Sequence, residues 1–141
     1  MKWKAIPGWQ GYEVSDAGVV RSIPRVVEHA KGPTARAGKV LRQTLERGKY
    51  ARVYLQNQGR KRTAKVHHLV LETFVGPCPA GLEARHLNGA SLDNRVENLA
   101  WGTREENTED RFQHGGYGHH QHTTVWPDWM LAAITEGAVT A

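Results

Sequence analysis

A chain of 141 residues makes about one domain, or two small modules sharing a core; its 39% apolar content supports a modest core, and no apolar run is long enough to span a membrane. Cys78 is the only cysteine, which excludes disulfide frameworks and cysteine zinc sites and fits a reducing cytoplasm. The net charge of +5 is uneven: residues 1–65 hold 15 Lys+Arg against 4 Asp+Glu, a surplus of +11, whereas residues 66–141 hold 4 against 10. So basic a block is the footprint of a polyanion binder, nucleic acid above all, with a merely soluble surface as the plainer alternative.

The first ten residues, MKWKAIPGWQ, contain no apolar stretch suited to a secretory leader. Residues 3–23 read as a short opening module. Glu13 and Val14 begin an extended run, Ser15-Asp16-Ala17-Gly18 supplies turn chemistry, and Val19 to Ile23 returns as a strand. Residues 24–38, rich in Pro, Gly, Ala and charge, read as an exposed loop. A sheet is then expected: KVLRQTL from 39, a turn at ERGK, YARVYLQ from 50, a turn at NQGRK, and RTAKV.

Alternation in the middle strand puts Ala51, Val53 and Leu55 on the face to be buried, and Tyr50, Arg52, Tyr54 and Gln56 on the other. That second face mixes rings and cations and suits base stacking and phosphate contact, although an ordinary solvated face would look the same. Arg42, Arg47, Lys49, Arg60, Lys61, Arg62 and Lys65 extend it into a candidate DNA-binding patch with Tyr50, Arg52 and Tyr54.

From residue 65 the period changes. Val66, Leu69, Val70 and Phe74 (or Thr73) follow helical spacing, and Gly76-Pro77-Cys78-Pro79 ends the helix. His67 and His68 fall on it; neighbours on a helix point about 100° apart, so a structural or solvated pair is the first reading and catalysis by His67 the second.

Residues 82–87 read as a strand ending at His86, followed by the Asn88-Gly89 turn and a second polar turn at Asp93-Asn94. Asn98 to Gly102 reads as the returning strand, and Thr103-Arg104-Glu105-Glu106 as a capping box that starts a helix carrying Asn107 on its first turn. Strand, loop, strand and helix thus bring His86, Asn98 and Asn107 towards one another. A neutral His can take a proton from water, and a hard cation with oxygen ligands can stabilise a pentacovalent phosphate. Beyond residue 113 come a Gly- and His-rich stretch, HGGYGHHQHTT, read as a flexible polar linker, and a tail with Pro127 at a helix start.

The segment VHHLVLETFVGPCPAGLEARHLNGASLDNRVENLAWGTREEN resembles the HNH endonucleases of phages and mobile introns, and WKAIPGWQGYEVSDAGVVRS resembles the small DNA-binding module that often precedes them. The resemblance implies an α+β fold with an N-terminal antiparallel β module (1–65), a ββα-metal nuclease module (66–113) and a linker with a short tail (114–141). It implies a metal-dependent endonuclease, phage- or mobile-element-encoded and acting in the host cytoplasm. Double-stranded DNA would be its partner, with no membrane, and it would work as a monomer or weak homodimer. His86 becomes the general base, Asn98 the residue that holds hairpin and catalytic loop, and Asn94 a structural loop residue. Asn107, with His86, would hold a divalent metal, Mg²⁺ first and Mn²⁺ as substitute.

One position departs from the pattern. Where many members of the family place Asp or Asn before the catalytic His, this chain has Arg85, which cannot ligate a cation. Three readings stay open: Asp93, Glu106 or a ligated His86 completes the metal site; Arg85 joins the catalytic residues as a clamp on the scissile phosphate; or the domain is an inactive, regulatory DNA-binding protein.

Overall fold

The computed structural model describes residues 1–57 and 59–113; the expectations for the linker and the Pro127 helix lie outside the described residues. The fold is α+β, with mostly antiparallel strands and two helices. Strands β1 (Trp3–Ala5), β2 (Tyr12–Ser15) and β3 (Val20–Ser22) form one antiparallel sheet, and β6 (Thr44–Glu46), β7 (Tyr50–Asn57) and β8 (Arg60–Lys65) form another. Helix α1 (Val66–Phe74) follows β8 directly. A hairpin of β9 (Glu83–His86) and β10 (Leu99–Gly102) then leads into α2 (Arg104–Gln113).

Strand β7 shows how the sequence pattern becomes a layer. Ala51, Val53 and Leu55 are fully buried while Tyr54 on the other face is 51% exposed, as period-2 alternation requires. Helix α1 lies against this buried face. Its Val66, Leu69, Val70 and Leu71 are all at 0% exposure, a wider apolar face than the predicted stripe, because α1 also touches β1, β2, β9 and β10. One hydrophobic cluster therefore runs from Ile6, Trp9 and Val14 of the opening segment, through the sheet and α1, to Leu92 and Leu99.

Polar contacts reinforce the join. The Tyr12 hydroxyl donates to the Gln56 carbonyl at 2.7 Å and accepts from the Gln56 amide at 3.1 Å, and Arg60 stacks its guanidinium over Trp9 at 4.7 Å.

Two segments differ from the sequence reading. Residues 24–38 are not a loop but a second hairpin, β4 (Arg25–His29) with β5 (Gly32–Arg36). Nothing in its charged, Pro- and Gly-containing sequence alternates in hydrophobicity, because both faces meet water. The run from 39 splits: Val40 bridges Arg21 of the first sheet, and only Thr44–Glu46 joins the second. Gln43 is 1% exposed at the crossing and donates to the Gly18 carbonyl at 2.8 Å.

Candidate nuclease site

The hairpin fixes the first elements of the site. His86 pairs with Leu99 and Glu83 with Gly102, so Glu83 and Arg85 share the strand face that meets α2, while Ala84 and His86 share the opposite one. A polar loop joins the strands, and its closure is mutual. The Asn98 side chain accepts from the Asn88 amide at 3.0 Å and donates to the Asn88 side chain at 2.9 Å and to the Asp93 carbonyl at 2.8 Å. Asn88 in turn donates to the Asp93 carboxylate at 2.9 Å. Asn98 is 6% exposed, and the returning strand begins just after it, at Leu99, because residues 96–98 form a 3-10 turn.

His86 is held from within that loop. Its Nε2 lies 2.8 Å from Asn94 Oδ1, and Asn94 is itself completely buried. A carboxamide oxygen only accepts, so this nitrogen carries the proton and Nδ1 keeps its lone pair. Burial pushes the His86 pKa below the ordinary histidine value, with the Asn94 hydrogen bond and nearby Asp93 opposing.

Around His86 is a cleft of about 260 Å³. His67 and His68 line it edge-on, with ring centroids 4.7 Å apart and His67 4.8 Å from His86, so the two helical neighbours reach one space after all. Lys49, Tyr50 and Lys65 come from the second sheet, and both ammonium groups lie within 5.2 Å of the Tyr50 ring. Glu83, Asn107 and Asp110 line the cleft from β9 and α2.

His67 is almost wholly enclosed, and its Nδ1 has no hydrogen-bond partner among the described residues. Burial, then the proximity of His86, His68 and Lys65, pushes its pKa down to about 2. Unfolded, the same ring titrates near 6.5, so below that pH the unfolded chain binds the extra proton. Stability is expected to be complete above pH 6.5 and to fall towards pH 2, by up to about 1.4 kcal/mol per pH unit for this ring. Urea denaturation at a series of pH values should show a falling midpoint, and His67→Phe should flatten the decline.

Arg85 lies across Gly102, where any side chain would overlap its methylenes. Its Nε and Nη2 donate to both Asp110 oxygens at 2.8 and 2.9 Å, and Nη1 to Glu106 at 2.9 Å. Glu106 also completes the capping box: its other oxygen accepts from the Thr103 amide, while its own amide donates to Thr103 Oγ1, both at 3.1 Å. Asp93 pairs with Arg95 at 2.7 Å. Both acids considered as replacement ligands thus already have cationic partners.

Asn107, one turn into α2, donates through Nδ2 to Glu83 Oε1 at 2.6 Å. Glu83 was absent from the sequence reading; the only signal for it was its place two residues before Arg85 on the same strand face. Among the described residues no three His, Cys, Asp or Glu side chains are grouped to hold a metal alone. One carboxylate and one carboxamide are a donor set that suits a hard divalent cation completing its shell from phosphate and water.

The other basic candidates divide by position. Arg52 and Tyr54 stand on the outer face of β7 and Arg42, Arg47 and Lys61 are exposed, but Arg62 faces inward with Leu55 and pairs with Glu72 of α1 at 3.3 Å. Arg60 and Lys61 lie at the far end of the β7–β8 hairpin, roughly 20 Å along the strands from Tyr50.

The site is thus a β-hairpin with a helix packed against it, a histidine in the cleft and a basic sheet alongside. The match is specific: residues 64–109 match the HNH endonuclease family and residues 1–56 the NUMOD4 motif, so the chain carries an HNH endonuclease domain behind a NUMOD4 motif. It is 33% identical over 116 residues to DNA endonuclease I-HmuI of Bacillus phage SP01, covering 82% of this chain and 60% of that protein. An uncharacterized HNH endonuclease of Acanthamoeba polyphaga mimivirus is 38% identical over 112 residues, covering 76% of this chain and 25% of the relative. The solved structure of the HNH homing endonuclease I-HmuI superposes with a TM-score of 0.66 at 28% identity, covering 97% of this chain and 68% of that one.

Proposed function

We propose that the chain is a metal-dependent endonuclease that hydrolyses a phosphodiester bond of duplex DNA. The observation that carries this reading is His86, held through Nε2 by Asn94 so that Nδ1 is the available base, in a cleft with lysines on one wall and a carboxylate beside Asn107 on another. Lys49 and Lys65 would attract and orient the scissile phosphate. His86 Nδ1 would take the proton from an attacking water, and the imidazolium would keep its Nε2 hydrogen bond to Asn94 and the attraction of Asp93. Asn98 would act through the loop it closes. A bound Mg²⁺, or Mn²⁺ in its place, would offset charge on the phosphate and the departing oxygen, with Asn107 and His86 beside it.

The outer face of β6–β8, with Arg52 and Tyr54, would track the duplex backbone, and the division at residue 65 is proposed as one of labour across a shared core. Arg85, with its donors on Asp110 and Glu106, would brace β9 against α2 rather than hold phosphate. The DNA binding and cleavage named for I-HmuI come to this chain as part of the proposal, as do a phage- or mobile-element setting, action in the host cytoplasm, and a monomer or weak dimer. One such site cuts one strand at a time.

Supercoiled plasmid incubated with the protein and Mg²⁺ should be converted to the nicked form, and EDTA should stop the conversion while leaving salt-sensitive DNA binding. Binding with no cleavage under Mg²⁺ or Mn²⁺ would instead support the inactive, regulatory reading that Arg85 raises.

A further inference from the structure

Two carboxylates line the His86 cleft, and they differ in what they already hold. Asp110, only 7% exposed, receives two hydrogen bonds from the Arg85 guanidinium, so its charge is spent on that pair. Glu83 forms no ion pair among the described residues. Its Oε1 accepts from Asn107 Nδ2, and that contact turns the Asn107 carboxamide so that Oδ1 is its remaining donor atom. Glu83 from a strand and Asn107 from a helix thus meet at the cleft wall, joined through Asn107 Nδ2 and Glu83 Oε1.

Lys49 and Lys65 line the same cleft from the sheet. A phosphate drawn to the lysines and a cation drawn to Glu83 would therefore share one space with His86. A hard divalent cation commonly takes one or two carboxylates and completes its shell with phosphate oxygens and water, which is the donor set this cleft can offer.

We propose that Glu83, with Asn107, is the anionic ligand of the divalent cation in this chain, in place of an acid at position 85. The proposal rests on the nuclease reading only for what the cation does, not for where it binds. Arg85 then has a positive reason to be where it is. Its ion pairs engage Asp110 and Glu106 and leave Glu83 as the one carboxylate lining the cleft without a cationic partner among the described residues.

The test is Mn²⁺ binding to the full chain with an uncleavable phosphorothioate duplex, read from the electron paramagnetic resonance signal of free Mn²⁺. Glu83→Gln keeps the size of an exposed side chain and its acceptor for Asn107, so a folded variant is expected and circular dichroism checks it. Affinity should fall by at least the roughly 10- to 100-fold that losing a mere outer-shell partner costs. His86→Ala should retain more of the affinity than Glu83→Gln does. In the nuclear magnetic resonance spectrum of the parent, Mn²⁺ should broaden the Asn107 side-chain amide first. Unchanged Mn²⁺ affinity in Glu83→Gln, or no binding by the parent, overturns the site. A parent that binds Mn²⁺ through Glu83 yet never nicks DNA leaves the site standing and overturns the nuclease reading. Nicking with Glu83 dispensable for Mn²⁺ does the reverse.

Discussion

His86→Ala is expected to bind duplex DNA as the parent does and to cleave it about 10²- to 10⁴-fold more slowly, the usual range for losing a positioned general base. Single-turnover nicking at saturating protein separates the chemical step from binding. The pH dependence gives the assignment its second handle. Burial outweighs the Asn94 bond and depresses the His86 pKa, so the base is already unprotonated at neutral pH. Cleavage by the parent should rise with pH and level off below the ordinary histidine value of about 6.5, and the residual activity of His86→Ala should lose that acid limb. Asn94→Ala should fall between the two chains, because it removes the acceptor that fixes the tautomer but not the imidazole. An unchanged nicking rate in His86→Ala would assign the base elsewhere in the cleft, with His68 the next candidate.

Much of this arrangement could be read from the residues because it follows local rules. The alternation of YARVYLQ, the capping box at Thr103 and Glu106, and the turn at Asn88-Gly89 each depend on neighbours within a few positions, and the structure shows all three. What could not be read depends on register between elements. Asn94 looked like one more turn former, since no pattern in the sequence says that its oxygen meets a ring eight residues earlier. Arg85 looked like a missing ligand; its pairing with Asp110 requires the strand face and the α2 face to be known together. The β4–β5 hairpin was hidden for a different reason: both of its faces are solvated, so no burial selects an apolar period.

The opening segment enters the same logic. The turn that follows β2 is preorganised, with Ser15 Oγ accepting from the Ala17 and Val19 amides at 3.2 and 3.0 Å. It reaches across to the loop between β9 and β10, where the Asp16 carbonyl accepts from the Val96 amide at 2.8 Å. Residues at the far end of the sequence therefore brace the loop that carries Asn94, and through it His86.

Gly18→Ala should expose this dependence. The position has φ +84°, and an added Cβ would stand 2.8 Å from the Asn94 Cβ and 3.0 Å from its carbonyl oxygen. The left-handed backbone alone costs an alanine about 1–2 kcal/mol. Pressing a methyl group into a fully buried neighbour adds about 1–3 kcal/mol. Gly8 separates the two costs: its φ is +76° but nothing lies within 4 Å of its Cβ position, so Gly8→Ala should show the backbone cost alone. Urea denaturation of the two variants would give the difference directly, and equal losses would mean that the turn does not press on Asn94. Function sharpens the contrast. Assayed well below its melting temperature, Gly18→Ala should nick DNA more slowly than its folded fraction explains, because the displaced Asn94 releases His86 Nε2. Gly8→Ala, whose backbone lies away from that loop, should nick as the parent does.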